Sequence, residues 1–281
     1  MLGVITVSFD PVLRLTDTAS VRIETIGLAA VLLIALALAA RSAARSPVAG
    51  LRLDDLAFMV VGAVPGAIIG GRLGYVLDHL DFYRANPEAM LDPAQGALSL
   101  TLAVPFGLLT GSIVGRLLRA PITGWMHTIT LPLLFALAAG KLIGVLGGSG
   151  QGLPSDGQWA TAYAGPGPWG SLAPDLPSHP SQVYEAILVT VAIVALWLAS
   201  RTKVIARRDG GAMFAALGLW AIARFFVAST WRDPALIGPL QMDQILSLGV
   251  LLVAVLGLVE RSRAPLRTPT QRPVDSDPEL A

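Results

Sequence analysis

The chain has 281 residues, 54% of them hydrophobic and only 14% charged, with a mean hydropathy of +0.66. A water-soluble domain carries roughly 25% charged residues, so this composition excludes an ordinary soluble enzyme or a disordered chain and describes an integral membrane protein. The formal net charge of +1 provides no basic footprint for nucleic acid, the lack of cysteine removes disulfides, thiolate metal sites and a thiol nucleophile, and three histidines (His79, His127 and His179) argue against a multi-histidine metal centre.

Crossing the hydrocarbon core as a helix takes about 20 apolar residues. Windows of that length predict spans at 23–41, 57–77, 98–118, 126–147, 183–200, 211–230 and 242–259. The expected fold is therefore an all-α polytopic membrane protein. Residues 1–22 form an outer arm, 23–260 a seven-helix domain with long outer loops at 78–97 and 148–182, and 261–281 a Pro-rich, charged tail that reads as disordered. The first span, GLAAVLLIALALAA, lies too far from the N-terminus and is too poorly flanked for a cleaved signal. The second, third and fourth carry VPGAIIGGRLG, VPFGLLTG and AAGKLIGVLGG, which predicts either close packing of small residues or helices broken around a cavity.

Charge asymmetry orients the chain. Arg41, Arg45, Arg52, Arg116, Arg119, Arg201, Lys203, Arg207, Arg208, Arg261, Arg263, Arg267 and Arg272 fall after odd-numbered spans, whereas the other side holds only Arg14, Arg22, Arg84 and Arg232. The positive-inside rule then places the N-terminus outside and the C-terminus in the cytoplasm. Loop 78–97 reads as a short interfacial element with aromatic anchors. Loop 148–182, rich in Gly, Pro and Trp and without one Lys or Arg, is long enough for a lid or binding loop.

Three cations lie inside spans: Arg72 in GGRLGYVL, Lys141 in AAGKLIGVLGG and Arg224 in WAIARFFVAST. Each costs roughly 2.5–3.5 kcal/mol if it faces lipid. Asp54 and Asp55 stand at the inner end of the second span, with Glu185 and Asp243 near outer ends, so no buried acid is expected to balance the cations. An anion arriving from outside the chain, such as a phospholipid phosphate, is the expected partner; snorkelling to an interface is the alternative. The second polar constellation, SHPSQVYEA, brings His179, Ser181, Gln182, Tyr184 and Glu185 to the entry of the fifth span. Two readings stand for it: a capped helix start behind Pro180, or a general base, His179, supported by Glu185.

GGRLGYVLDHLDFYRANPEAM, HPSQVYEA, RFFVASTWRDP and GPLQMDQILSL, in that order across about residues 20–260, resemble prolipoprotein diacylglyceryl transferases, a family of bacterial inner-membrane enzymes. The resemblance implies seven spans and transfer of a diacylglyceryl group from phosphatidylglycerol to the lipobox cysteine of a preprolipoprotein, with release of glycerol phosphate. It makes phosphatidylglycerol or another anionic phospholipid and the lipobox protein the expected partners. By position it assigns catalytic roles to His179, Glu185 and Arg224, and substrate binding to Arg72, Tyr75, Lys141, Ser181, Gln182 and Tyr184. No metal or other cofactor is expected. The missing cysteine fits, because the nucleophile belongs to the substrate.

The family signature GRIGNFINGELWG aligns without a gap on Gly140 to Gly152, GKLIGVLGGSGQG. Lys141 replaces its arginine, Gly144 and Gly147 its asparagines, and Ser149 its glutamate. Pro105 stands near the family's histidine, Ile26 at its early tyrosine, Ala228 at a glutamate after Arg224, and His127 at an upstream aspartate. Lysine keeps the charge but loses the bidentate fork for phosphate, and thiol deprotonation would fall to His179 or His127. The sequence thus supports a divergent transferase, a homologue that binds phospholipid or lipoprotein precursor without turnover, or, on the embedded cations alone, a small-anion transporter.

Overall fold

The computed structural model describes residues 3–92, 98–201 and 209–263. Among the described residues, seven helices are long and apolar enough to cross a membrane: α1 (Ile23–Ala44), α2 (Leu53–Asp78), α4 (Leu100–Leu117), α5 (Ile122–Gly147), α6 (Ser181–Ala199), α7 (Gly211–Ala228) and α8 (Met242–Arg263). A short helix, α3 (Leu80–Ala85), and one 3-10 turn, Pro87–Leu91, follow α2. Several spans begin before their apolar windows. In α2 the extension carries Asp54 and Asp55 in the first turn, where carboxylates are favoured by the helix dipole. Of the tail, Arg261–Arg263 continues α8, and residues 264–281 lie outside the described residues.

The glycine-rich spans are continuous rather than broken. Pro65, Pro105 and Pro132 sit inside α2, α4 and α5 without ending them, and the glycines serve close approach. A Cβ added at Gly66 would stand 2.5 Å from the Phe106 carbonyl oxygen, and one at Gly70 would stand 2.5 Å from that of Leu102. The α2 and α4 backbones therefore touch along a small-residue seam, the arrangement membranes use when lipid supplies no hydrophobic drive.

α7 is the central helix: 61% of its apolar window is buried, against 17% for α1. Its Ala216 and Ala221, with Met213, Leu217 and Trp220, pack among Leu134 and Leu137 of α5, Val189 of α6 and Ala254 of α8. In α1 only Val31, Ala35, Ala39 and Ala43, spaced by four, are buried, and Leu32, Leu33 and Ile34 are exposed. That stripe marks one protein-facing side and a wide lipid-facing one.

The helical expectation omitted three two-stranded sheets, all in the connections at one end. β1 (Ile5–Ser8) pairs in parallel with β4 (Thr161–Ala164), β2 (Val12–Arg14) forms an antiparallel hairpin with β3 (Ser20–Arg22), and β5 (Ala235–Ile237) pairs with β6 (Leu240–Gln241). The N-terminal arm is thereby tied to the 148–182 loop, which turns back on itself where Thr161 also bridges Ser178. Together they cover the ends of α5, α6 and α7, where the polar side chains gather.

Candidate active site

Lys141 lies near the end of α5, Glu185 in the second turn of α6, Arg224 in the last turns of α7 and Asp243 in the first turn of α8. Four helices thus deliver four charges at one depth. Arg224, 3% exposed, divides its guanidinium between two carboxylates. Nη1 donates to Glu185 Oε1 at 3.0 Å and Oε2 at 3.3 Å, and Nη2 donates to both oxygens of Asp243 at 3.1 Å. Lys141 Nζ stands 2.8 Å from Glu185 Oε2, and the Trp220 indole donates to Oε1 at 3.3 Å. The Thr101 hydroxyl donates to Asp243 Oδ1. The Trp231 ring lies 4.6 Å from the Arg224 guanidinium carbon and 5.2 Å from Lys141 Nζ.

The expectation that no acid balances the embedded cations is overturned. Two cations meet two carboxylates, and the centre is neutral without a ligand. Each Nη of Arg224 faces both oxygens of one carboxylate, and its Nε–H is buried without an acceptor among the described residues. Lys141 differs: its side chain is 22% exposed and Glu185 is its one carboxylate partner among the described residues, so an ammonium with three donors keeps capacity for another anion.

Arg72 stands apart from this centre. Its Nε donates to the Met90 carbonyl at 2.7 Å, and its Nη2 to those of Ala89 at 2.6 Å and Asp92 at 3.2 Å. Tyr83, 2% exposed, lies 5.3 Å from the guanidinium and Tyr75 lies 6.0 Å from it. Arg72 thus pins the turn after α3 onto the end of α2. Loop 78–97 is an ordered element built around that contact as far as it is described.

The SHPSQVYEA segment does not cap its helix in the expected way. Pro180 occupies the N-cap position with no side-chain cap hydrogen bond. Ser181 instead meets the Thr230 hydroxyl at 2.7 Å, Gln182 Nε2 donates to the Tyr163 hydroxyl at 3.0 Å, and Glu185 faces the ionic centre. Nor do His179 and Glu185 converge: His179 Nδ1 meets the Tyr184 hydroxyl at 3.2 Å, and no hydrogen bond joins the histidine to Glu185. His127 lies on α5 about 21 Å down the helix from Lys141, at 1.5 Å per residue, at the opposite end. It has no route to chemistry at Lys141.

With this geometry in view, the comparisons with known proteins decide the family. The family model described as prolipoprotein diacylglyceryl transferase matches residues 12–260. The chain belongs to that family. A protein of Oleidesulfovibrio alaskensis named phosphatidylglycerol–prolipoprotein diacylglyceryl transferase is 34% identical over 87% of this chain and 90% of its own length. Proteins of the same name from Rhodospirillum centenum and Beijerinckia indica are 33% and 32% identical over 77% and 92% of this chain, and 79% and 95% of their own lengths.

Within this member of the transferase family, the segment aligned with the signature ends α5 and turns at Gly148 and Gly150, whose φ of 76° and 82° favour glycine. Where the signature has its second asparagine, a Cβ on Gly147 would fall on the Glu24 carboxylate. Glu24, from the first turn of α1, accepts from the Ser149 hydroxyl at 2.8 Å and pairs with Arg22 at 3.3 Å. A carboxylate from another helix fills the space that the missing side chain leaves.

The residues that sequence reasoning missed here are Asp243, Thr101, Trp220, Trp231, Tyr163 and Glu24; Asp243 and Trp231 lie within the quoted segments GPLQMDQILSL and RFFVASTWRDP, whose motifs did not single them out. Asp243 and Glu185 did share one signal, their depth at the same membrane face. At that end Asp233 is also held, and burial is the main cause of a carboxyl pKa raised above its usual value; His79 opposes the shift and Asp243 adds to it.

Proposed function

We propose that this chain transfers a diacylglyceryl group from phosphatidylglycerol to the lipobox cysteine of a preprolipoprotein, as a multi-pass protein of the bacterial cytoplasmic (inner) membrane with its N-terminus outside. The family supports the reaction, and the cation asymmetry of the loops supports the orientation. In that reaction the cysteine sulfur bonds to the glycerol carbon that carried the phosphate. The carbon–oxygen bond breaks, its electron pair leaves on the oxygen of glycerol phosphate, and the thiol proton goes to a base.

The observation that supports the site assignment is the unequal exposure of the two cations in the ionic centre, 22% for the Lys141 side chain against 3% for Arg224. Lys141 retains donors for the leaving phosphate, and Glu185 and Asp243, gripped by Arg224, hold that ammonium in place. Arg224 is then a positioning residue rather than the phosphate contact. His179, with Nδ1 hydrogen-bonded to Tyr184, offers Nε2 as proton acceptor for the thiol. Glu185 has both oxygens occupied and serves poorly in that role. Arg72 and Tyr75 support the loop that borders the site, and Ser181, Gln182 and Tyr184 line its outer side.

The test is a transfer assay with the purified chain in phosphatidylglycerol micelles, a lipobox peptide and mass spectrometry for the diacylglyceryl thioether. Lys141→Met is expected to lower turnover about 100-fold or more, on the scale of losing one charge-stabilising donor, while Lys141→Arg retains part of it. A second reading, a lipid-binding homologue without turnover, is favoured by one feature: Gly144, Gly147, Ser149, Pro105 and Ile26 stand where the resemblance expects polar groups. Phosphatidylglycerol binding by the wild type without product would decide for it. No feature favours a small-anion transporter, since the spans are continuous helices.

A further inference from the structure

Trp231 stands three residues beyond the end of α7 and adds no charge to the ionic centre, yet both cations of that centre lie over its ring. The Arg224 guanidinium carbon is 4.6 Å from the ring centroid and Lys141 Nζ is 5.2 Å from it. The backbone that carries the ring is fastened on several sides. The Trp231 amide donates to the Ala228 carbonyl at 2.9 Å, and the Trp231 carbonyl accepts from Gln241 Nε2 at 3.2 Å. Before it, the Thr230 carbonyl accepts from the Leu153 amide at 2.7 Å. After it, Arg232 donates through Nε to the Gly152 carbonyl at 2.7 Å and through Nη2 to the Ser178 hydroxyl at 2.9 Å. One turn is thus tied to α7, to β6 and to the 148–182 loop, and it holds the indole against the two cations.

Lys141 needs such a hold more than Arg224 does. Arg224 is gripped by two carboxylates, whereas the single carboxylate beside Lys141, Glu185, is shared with Arg224. A further carboxylate would fix the ammonium too, but it would turn a centre of two cations and two carboxylates negative and repel an anion. An indole face attracts a cation through its quadrupole and carries no net charge. It holds the ammonium in place and leaves the positive charge available. We infer that Trp231 is a positioning residue for Lys141, its ring fixing the ammonium beside Glu185 without neutralising it, so that an unused N–H remains for a phosphate oxygen. The inference rests on the reading above of Lys141 as the phosphate contact.

The other tryptophan of the centre has a different part. Trp220 is fully buried, its indole donates to Glu185 Oε1, and its ring lies 5.6 Å from the Arg224 guanidinium carbon. Trp220 therefore serves the Glu185–Arg224 pair, and Trp231 is the ring over which Lys141 lies. Filling space does not account for the Trp231 contacts. An aliphatic side chain could occupy the same place, but it would set an apolar surface against two cations, which costs free energy unless something else compensates the charge.

The experiment compares Trp231→Phe, which keeps an aromatic face, with Trp231→Leu, which fills a similar volume without one. Equilibrium binding of short-chain phosphatidylglycerol to the purified full chain in detergent is expected to be about 10-fold tighter for Trp231→Phe, the scale of a partly desolvated cation–π contact. Transfer to a lipobox peptide should follow the same order. Short-chain diacylglycerol, which lacks the phosphate, should bind both variants alike, and that binding shows that both are folded. In a Lys141→Met background the difference between the two variants should vanish, because the ring acts through the ammonium. Equal phosphatidylglycerol binding by the two variants, a difference that diacylglycerol shows as well, or a difference that survives Lys141→Met overturns the inference. The last of these outcomes would assign the ring to Arg224 instead. Phosphatidylglycerol binding that shows the expected difference, in a chain that forms no thioether, would count against the transferase reading alone.

Discussion

Arg224 and Arg72 are arginines near the ends of two helices in the same bundle, and the protein satisfies them in opposite ways. Arg224 is answered by ions: Glu185 and Asp243, from α6 and α8, each take one of its Nη groups. Arg72 is answered by dipoles, the carbonyls of Ala89, Met90 and Asp92 in a turn that folds back over α2. A cation embedded in a membrane helix is thus not in itself an anion receptor. What distinguishes a receptor is spare donor capacity facing an opening, and in the ionic centre that belongs to Lys141.

The contrast breaks most visibly at Glu185. Replacing it with alanine leaves the buried Arg224 and the partly exposed Lys141 with one remaining carboxylate, and removing one partner of a buried pair costs about 3–5 kcal/mol. Glu185→Ala is therefore expected to unfold at markedly lower temperature in detergent, and to lose transfer with it. A melting temperature within a degree or two of wild type would show that the ionic centre does not organise the four helices. At Arg72 the expected loss is smaller, because carbonyl partners released from the guanidinium can turn to water. Arg72→Met should cost about 1–3 kcal/mol and raise hydrogen exchange and proteolysis around Ala89–Asp92, with transfer reduced rather than abolished. If exchange there stays at the wild-type rate while transfer disappears, Arg72 touches the lipid directly.

The spans, the depth of each polar residue and the family resemblance were legible because hydropathy and short motifs are local. The partners of Arg224 were not, because pairing across helices depends on which way each side chain points around its axis. Asp243 is 19 residues from Arg224, and Glu185 is 39. Their shared depth was visible, but their convergence was not. The β1–β4 pair was hidden for a related reason: ITVS and TAYA are four-residue strands, too short for a period, and parallel pairing between such distant segments leaves no turn signal. In SHPSQVYEA the local reading favoured a cap or a His179–Glu185 pair. Tertiary partners, Thr230, Tyr163 and the ionic centre, took those side chains instead.

The smallest expected effect sharpens the comparison at Asp233, whose carboxyl feels His79 at the α2 end as well as Asp243 and Arg224 in the ionic centre. Burial is the main cause of its raised pKa, so the folded chain holds this proton more tightly than the unfolded chain, whose carboxyl titrates near 3.8. By linkage, the stabilisation is fully present below that value and is lost as pH rises through the folded pKa, where the buried group must ionise. Asp233→Asn removes the ionisation. It should match the wild type in stability at the acid end and exceed it increasingly as pH rises above the ordinary carboxylate range, levelling off once the wild-type carboxyl is charged. Thermal unfolding of both proteins across that range reads the difference directly. A gap that stays constant with pH would mean that His79 and Arg224 compensate the carboxylate fully, and that the end of α2 and the ionic centre share one balanced field.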